Sequence, residues 1–334
     1  MKRTILAIAA LATFVAGFGL AQDYPWQPTR PITIIVPWAA GGSTDQMARI
    51  LANELEGELG QSVVVVNQPG ASGSIGTRNA LEAAPTCYTW AAGAASDLGT
   101  YAVLDMLDTS LSDWHLFLTV ANTAVVGVNV NTPYQDFQDL MDAFEASPGQ
   151  IAVATAGMTS AGHNAMELIA GATGVEYRHV TYEGGNPAVI ATVGGETQVT
   201  TQLAVEQAEM IRGNRIRPLA AVSDTPLELE GYGTIPPITD WIADLDIPTN
   251  YFGIWAPRGV PAECVETFEM IWENAIADSE VLQNYARERG ALFTPYYGDD
   301  AEQRAMGMVR QNAWILYDAG QAPIDPSTFG IERP

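Results

Sequence analysis

The residues of this chain best suited to chemistry are glycine-rich turns that follow apolar runs and open helices. The clearest is Gly41-Gly42-Ser43-Thr44, which comes after the apolar run Ile32–Val36. The first N–H groups of a helix have no intrahelical partner, and the helix dipole adds partial positive charge there. Such a turn binds an anion without any Lys or Arg.

A second turn of the same kind, Gly157-Met158-Thr159-Ser160, follows the predicted strand Ile151–Thr155. Ligands of open α/β sheets bind at the carboxyl ends of strands. If the two turns lie on facing lobes, each can hold one carboxylate of a small diacid, with donors from the Ser and Thr hydroxyls. The alternative is that both are ordinary helix caps. The matched pair favours a binding site.

Four further side chains adjoin these turns or a similar glycine pair. Trp38 stands between the apolar run and the glycine pair, where it is either core or a pocket wall. Tyr182 ends a predicted strand beside Gly184-Gly185 and is expected to line a cleft. His163 opens a helix, where it either caps the helix, belongs to the core or donates to a ligand. Asp45 lies in a first helical turn, and a dipole complement or cap is the favoured role.

Several common enzyme motifs are missing from the sequence. There is no Gly-x-Ser-x-Gly elbow, no His-Glu-x-x-His and no Gly-x-Gly-x-x-Gly. The only Lys is Lys2, so no P-loop lysine exists. Cys87 and Cys264 have no zinc spacing, and their separation leaves a disulfide open. We therefore expect a binding protein that is not an enzyme and needs neither cofactor nor metal.

Composition and charge narrow the class further. The 334 residues are 47% hydrophobic and 16% charged, which is typical of a globular chain large enough for two lobes. The formal net charge of −24 and the absence of a basic stripe argue against nucleic-acid binding.

The first 21 residues predict a signal peptide. A basic start, Lys2-Arg3, precedes the apolar stretch Ile5–Val15, and Gly19-Leu20-Ala21 is a small-x-small cleavage site. An uncleaved anchor helix is the alternative, but the run is short. We expect the mature chain to begin at Gln22 and to lie in the periplasm.

Strand and helix patterns alternate along the rest of the chain, so we predict an α/β fold with two lobes, each a mostly parallel sheet flanked by helices. Lobe 1 is expected to comprise residues 22–122 and 223–334, and lobe 2 residues 123–222. The connections are predicted to run through a hinge near residues 121–124 and 222–225. The helices of the C-terminal third are expected to cover lobe 1.

Several segments resemble the TctC/Bug family, the periplasmic solute receptors of tripartite tricarboxylate transporters. The segments that carry the resemblance are Pro31–Arg49, Leu59–Gly76, Ala83–Thr89, His179–Ala188 and Ala256–Pro261. The chain departs from the family pattern twice. Thr86-Cys87 stands where the family usually has Asp-Gly, and Glu183 replaces the Lys of a Tyr-Lys-Gly segment.

The resemblance implies a two-lobe periplasmic-binding-protein fold of type II, which closes on a small organic acid and delivers it to membrane permease subunits. It implies that backbone amides and bridging waters hold one ligand carboxylate. Carried onto this sequence, the site residues of lobe 1 are Trp38, Ala39, Ala40, Gly41, Gly42, Ser43, Ala95 and Ser96. Those of lobe 2 are Thr155, Gly157, Met158, Thr159, Ser160, His163 and Tyr182.

The resemblance leaves the ligand open, since the family takes di- and tricarboxylates, amino acids and aromatic acids. Glu183, if it lines the cleft, argues mildly against citrate. We expect a monomer. A receptor that serves a membrane sensor kinase is the alternative function.

Overall fold

The structure, a computed structural model, describes residues 23–334. It is an α/β molecule with two mixed sheets flanked by helices. The predicted signal peptide, residues 1–21, and the expected mature start at Gln22 lie outside the described residues.

The first sheet has six strands in the order β13-β4-β12-β3-β1-β2. Its strands are β1 (Ile32–Val36), β2 (Val63–Asn67), β3 (Thr89–Ala94), β4 (Trp114–Asn122), β12 (Tyr251–Pro257) and β13 (Ala291–Phe293). The second sheet has five strands in the order β7-β6-β8-β5-β9. Its strands are β5 (Val125–Asn129), β6 (Ala152–Thr155), β7 (Arg178–Thr181), β8 (Val199–Thr200) and β9 (Ile216–Ala221). A hairpin joins β10 (Leu227–Leu229) to β11 (Gly233–Ile235).

Ten α-helices flank the sheets in the described part of the chain. Those in the first half are α1 (Ser43–Leu59), α2 (Ser74–Leu81), α3 (Asp97–Val103), α4 (Phe137–Ala146) and α5 (Ala161–Thr173). Those in the second half are α6 (Gly185–Gly194), α7 (Ala204–Arg212), α8 (Ala262–Asn274), α9 (Glu280–Arg289) and α10 (Gly298–Asp318). Of the helices between residues 23 and 334, none combines the length and apolar composition that a bilayer crossing requires.

Both sheets are mixed, which corrects the expectation of mostly parallel sheets. The predicted βαβ unit exists, because β1 pairs in parallel with β2 and with β3. However, β12 returns from the C-terminal third and pairs antiparallel to both β3 and β4. In the second sheet, β5 is antiparallel to β8 and β9. Each sheet therefore has a parallel part, whose strands lead into helices at their carboxyl ends, and an antiparallel part.

The chain crosses between the two sheets at the places where a hinge was predicted. β4 ends at Asn122 and β5 begins at Val125, so Thr123 and Ala124 make the first crossing. On the return path, the Val222 N–H donates to the Ala124 carbonyl at 2.8 Å. The two connections therefore lie side by side.

The C-terminal helices were expected to cover lobe 1. They pack on the first sheet, and they also contact helices that follow strands of the second sheet. α10 packs on α3 and β4, but it also contacts α5, which follows a strand of the second sheet. α9 contacts both α1 and α7. The C-terminal part of the chain therefore touches helices associated with both sheets.

An aromatic core with a disulfide beside it anchors the first sheet. The rings of Trp90 and Phe268 stack with centroids 4.0 Å apart, and Phe117 packs against both. Cys87 and Cys264 form a disulfide with a Cα–Cα distance of 6.3 Å, which answers the question that their spacing left open. The covalent bond ties the segment before β3 to α8.

Candidate functional site

The N-terminal ends of five helices meet around a small cavity between the sheets. The helices are α1, α3, α5, α6 and α7. The cavity has a volume of about 30 Å³, which is room for a single water molecule. Its lining residues are Trp38, Gly42, Ser43, Thr44, Ala94, Asp97, Ala156, Ser160, Ala161, Gly185, Gln202, Leu203, Glu206 and Phe252. We call it the central cavity. Its lining contains neither Lys nor Arg, so the helix N-termini are the groups there that favour an anion.

A second, larger cavity of about 670 Å³ adjoins the central one. Trp38 and Ala156 line both cavities. The other lining residues are Gly70, Ala71, Ser72, Gly73, Gly157, Met158, Thr181, Tyr182, Glu183 and Pro187. We call it the outer cavity. The predicted cleft residues Trp38, Gly157, Met158 and Tyr182 are among these, and Glu183 lies there too, with an exposed side chain.

The turn before α1 is shaped by its glycine pair and by Asp45. Gly41 has φ +84°, a left-handed conformation that glycine adopts without strain. Its N–H donates to Asp45 Oδ2 at 2.9 Å. The same carboxylate accepts from Asn67 and pairs with Arg49. Asp45 therefore has the structural role that was favoured for it, and it holds Arg49 away from both cavities.

The carboxylate of Glu206 lies at the N-terminus of α1. Glu206 stands in the first turn of α7, and its Oε1 accepts the Ser43 N–H at 2.9 Å. Its Oε2 accepts the Leu203 N–H at 3.3 Å. The Gln202 side-chain amide, in the orientation that satisfies both of its atoms, donates to Oε2 at 2.9 Å. Burial raises the pKa of Glu206, and these backbone hydrogen bonds oppose the rise only in part.

A second carboxylate, that of Asp97, lines the same cavity. Asp97 is the first residue of α3 and is only 3% exposed. Burial raises its pKa well above the ordinary value, although a hydrogen bond to Trp38 acts in the opposite direction. Within residues 23–334, its Oδ1 has no hydrogen-bond partner. The central cavity therefore contains a buried acceptor that lacks a donor.

The raised pKa of Asp97 predicts a pH-dependent effect of Asp97→Asn. The destabilisation by the ionised carboxylate is absent below the unfolded-state pKa near 4, grows as the pH rises to the folded-state pKa, and is constant above it. We therefore expect Asp97→Asn to gain stability relative to wild type at pH 8 and to lose that gain at pH 4. Urea unfolding at both pH values measures it. The exposed Asp108→Asn is the control, and an Asp97→Asn effect that is equal at the two pH values would contradict the prediction.

The two predicted turns both contribute residues to the central cavity, but they pack against different segments of the chain. The 157–160 turn lies against the segment after β2, where the Met158 N–H donates to Ser72 Oγ at 3.1 Å and Thr159 Oγ1 donates to the Ser72 carbonyl at 2.8 Å. The 41–43 turn instead faces the start of α6 and Glu206. Beside it, the Ala39 N–H donates to the Glu183 carbonyl at 2.9 Å. Only Gly42, Ser43, Thr44 and Ser160 of the two turns reach the central cavity.

Six other predicted site residues line neither cavity. Ala39 makes the contact just described, whereas Ala40 is exposed in the turn and Gly41 lies against Asn186. The Ala95 N–H donates to the Tyr251 carbonyl, and Ser96 Oγ donates to Asn250. Thr155 Oγ1 hydrogen-bonds His179 at 2.6 Å.

His163 and Thr159 also lie outside both cavities. Thr159 is buried against Ser72. His163 is fully buried, stacks on His179 with centroids 4.2 Å apart and hydrogen-bonds Gln321 at 2.7 Å. Burial lowers its pKa to about 4. His163 is therefore a neutral core residue in this structure, which agrees with the core alternative.

The sequence interpretation missed five residues that line the central cavity, including both of its carboxylates. They are Asp97, Gly185, Gln202, Glu206 and Phe252. Asp97 follows directly after the predicted loop Ala94-Ala95-Ser96, so its position beyond a strand end was an available signal. Glu206 lies in the first turn of a helix after Leu203-Ala204-Val205, which by itself indicates only a dipole complement.

Comparison with known proteins identifies the family. Residues 47–311 match the model of the tripartite tricarboxylate transporter family receptor. The chain belongs to this family of receptors, as the resemblance predicted. Protein BugT of Bordetella pertussis is 29% identical over 322 residues, which cover 92% of this chain and 97% of BugT.

Solved structures share the fold. The periplasmic binding protein BugD superposes with a TM-score of 0.81 at 23% identity, over 88% of this chain and 99% of BugD. Rpa4515 of R. palustris, solved with adipate, superposes with a TM-score of 0.79 at 25% identity, over 89% of this chain and 99% of Rpa4515. The two-lobe fold predicted from the sequence is thereby confirmed.

Proposed function

We propose that this chain is an exported solute receptor that binds a small organic acid between its lobes. It delivers the acid to the membrane subunits of a tripartite tricarboxylate transporter and does not transform it. The observation that carries the proposal is the convergence of five helix N-termini on one cavity between the sheets. The family membership and the adipate held by Rpa4515 support it.

The proposed lobes are residues 22–122 with 223–334, and residues 123–222, after removal of the signal peptide in the periplasm. The ligand enters when the lobes separate about the connections at Thr123-Ala124 and Val222. Closure re-forms the contacts between Ala39 and Glu183 and between Met158 and Ser72. Because a 30 Å³ space cannot take an organic acid, the acid enlarges the central cavity or extends from it into the outer one.

In this mechanism the first-turn amides of α5 and α6 supply hydrogen bonds to the carboxylate of the acid, because the first amide of α1 already donates to Glu206. Those amides have no intrahelical partner, and the dipoles favour an anion. The hydroxyls of Ser43 and Ser160 stand at the N-terminal ends of α1 and α5, where Ser160 Oγ donates to the Gly157 carbonyl at 2.7 Å and the Ser43 side chain hydrogen-bonds Glu206. Trp38 forms the wall shared by the two cavities, and Tyr182 lines the outer one. The receptor works as a monomer.

A thermal-shift screen of C3 to C6 organic acids, followed by calorimetric titration, tests the proposal. A ligand at a hundred times its dissociation constant stabilises the folded protein by about 2.7 kcal/mol. In a chain of this size, that raises the melting temperature by roughly 5 °C. Uptake of the bound acid by vesicles that contain the permease subunits distinguishes import from service to a sensor kinase. Turnover of the acid, or no shift with any acid, would contradict the proposal.

A further inference from the structure

We propose that Glu206 determines ligand specificity: it fills the anion position at the α1 N-terminus, so the ligand end that enters the central cavity carries a hydrogen-bond donor, an amide or an ammonium group, and not a second carboxylate. The inference rests on the proposed function, since it concerns the ligand of that same site. The organic acid then keeps its own carboxylate at the other end.

The first step is that the Glu206 carboxylate occupies the position an anionic ligand would seek. Its Oε1 already accepts the Ser43 N–H, the first amide of α1. It also lies close against the start of α6, because a Cβ added at Gly185 would come within 2.1 Å of both carboxylate oxygens. A Cβ added at Gly42 would lie 3.3 Å from Oε1. One resident anion therefore sits between the N-termini of α1 and α6.

A purely local role does not account for this arrangement. As a first-turn residue of α7, Glu206 complements the dipole of its own helix and caps the Leu203 N–H. Neither function requires contact with Ser43, which lies 163 residues away and follows a strand of the other sheet. The hydrogen bond to Ser43 places the charge of α7 in the space between the sheets.

The second, independent observation is the unpartnered oxygen of Asp97. Its Oδ1 is buried, lines the same cavity and has no donor within residues 23–334. A buried acceptor left unpaired is costly, and native proteins satisfy nearly all of them. No Lys or Arg lines the cavity, so the protein supplies no cation to this pair. A donor on the ligand meets Asp97 Oδ1 and the Glu206 carboxylate together, whereas a carboxylate there is repelled by Glu206 and leaves Asp97 Oδ1 without a donor.

Isosteric probe pairs test the inference. Succinate and its monoamide succinamate differ only in one carboxylate replaced by a neutral amide, and adipate and adipamate form a longer pair. In calorimetric titration at pH 7.5, we expect the wild type to bind the monoamide of the better-fitting pair at least tenfold tighter than the diacid, about 1.4 kcal/mol. Glu206→Gln keeps the shape and replaces the charge with an amide. It should bring the two affinities within threefold, mainly by tighter binding of the diacid.

Glu209→Gln is the matched control, since it removes the same charge from an exposed position one turn further along α7. It should keep the wild-type preference. Circular dichroism and the melting temperature establish that each variant is folded, and Glu206→Ser provides a second variant if Glu206→Gln is not. The inference would be overturned if the wild type preferred the diacid, or if Glu206→Gln and Glu206→Ser left the preference unchanged. Either result would leave the proposed function standing. Binding of no probe by any of these proteins would contradict the proposed function and with it the inference.

Discussion

Gly42→Asp should weaken binding of the best-bound acid at least a hundredfold, a loss of about 3 kcal/mol. Gly42 lines the central cavity, and a Cβ at this position would lie 3.3 Å from Glu206 Oε1 and 3.9 Å from the Gly185 nitrogen. The added carboxylate therefore meets an existing one where the lobes approach. Two like charges about 4 Å apart repel by roughly 4 kcal/mol at an effective dielectric constant of 20.

Calorimetric titration of wild type, Gly42→Asp and Gly42→Asn measures this effect. Asn has nearly the size of Asp without its charge, so the difference between the two variants isolates the electrostatic part. Gly42 has φ −75°, which other residues adopt without strain, and both variants are expected to fold. Near-equal affinities for wild type and a well-folded Gly42→Asp would mean that the acid binds elsewhere.

Loss of the Cys87–Cys264 disulfide should lower the free energy of unfolding by about 2–5 kcal/mol. The bond joins residues 177 positions apart, so its removal frees a long loop in the unfolded chain. It also releases α8, which carries Phe268, from the segment that leads into β3. Both effects favour the unfolded state.

Urea unfolding of wild type and of Cys87→Ala/Cys264→Ala tests this prediction. Dithiothreitol should reduce wild-type stability to that of the double variant and leave the double variant unchanged, which separates the covalent bond from the packing of the two side chains. A double variant as stable as the oxidised wild type would show that the bond contributes nothing to folding.

Local signals in the sequence predicted much of the fold. The apolar run Ile32–Val36 is a strand over its whole length, and the predicted strand Ile151–Thr155 is β6, one residue shorter. Predictions were wrong where contacts between distant segments determine the structure. The alternating segment Gln198–Leu203 predicts a strand, but the strand is only Val199–Thr200, because Leu203 already precedes α7. β13 and the β10–β11 hairpin are three-residue strands, too short for a periodic pattern.

The site shows the same division. Gly42, Ser43 and Ser160, which line the central cavity, could be named from the sequence because a strand that ends before a glycine-rich turn is a local pattern. Which turns meet across the cleft depends on the order of strands in two sheets, and no local pattern encodes that order. Glu206 was missed for this reason. Its sequence neighbours describe a helix start, and only the packing of α7 against α1's first turn makes it part of the site.

One contact between the lobes at the cavities uses main-chain groups alone, because the Ala39 N–H donates to the Glu183 carbonyl. That contact does not depend on which side chains the two residues carry. If the proposed function is correct, Glu206, Asp97 and Trp38 can be replaced, with a change of the solute that is bound, while this main-chain contact between the lobes is retained. Few substitutions would then suffice for a receptor of this kind to bind a new solute.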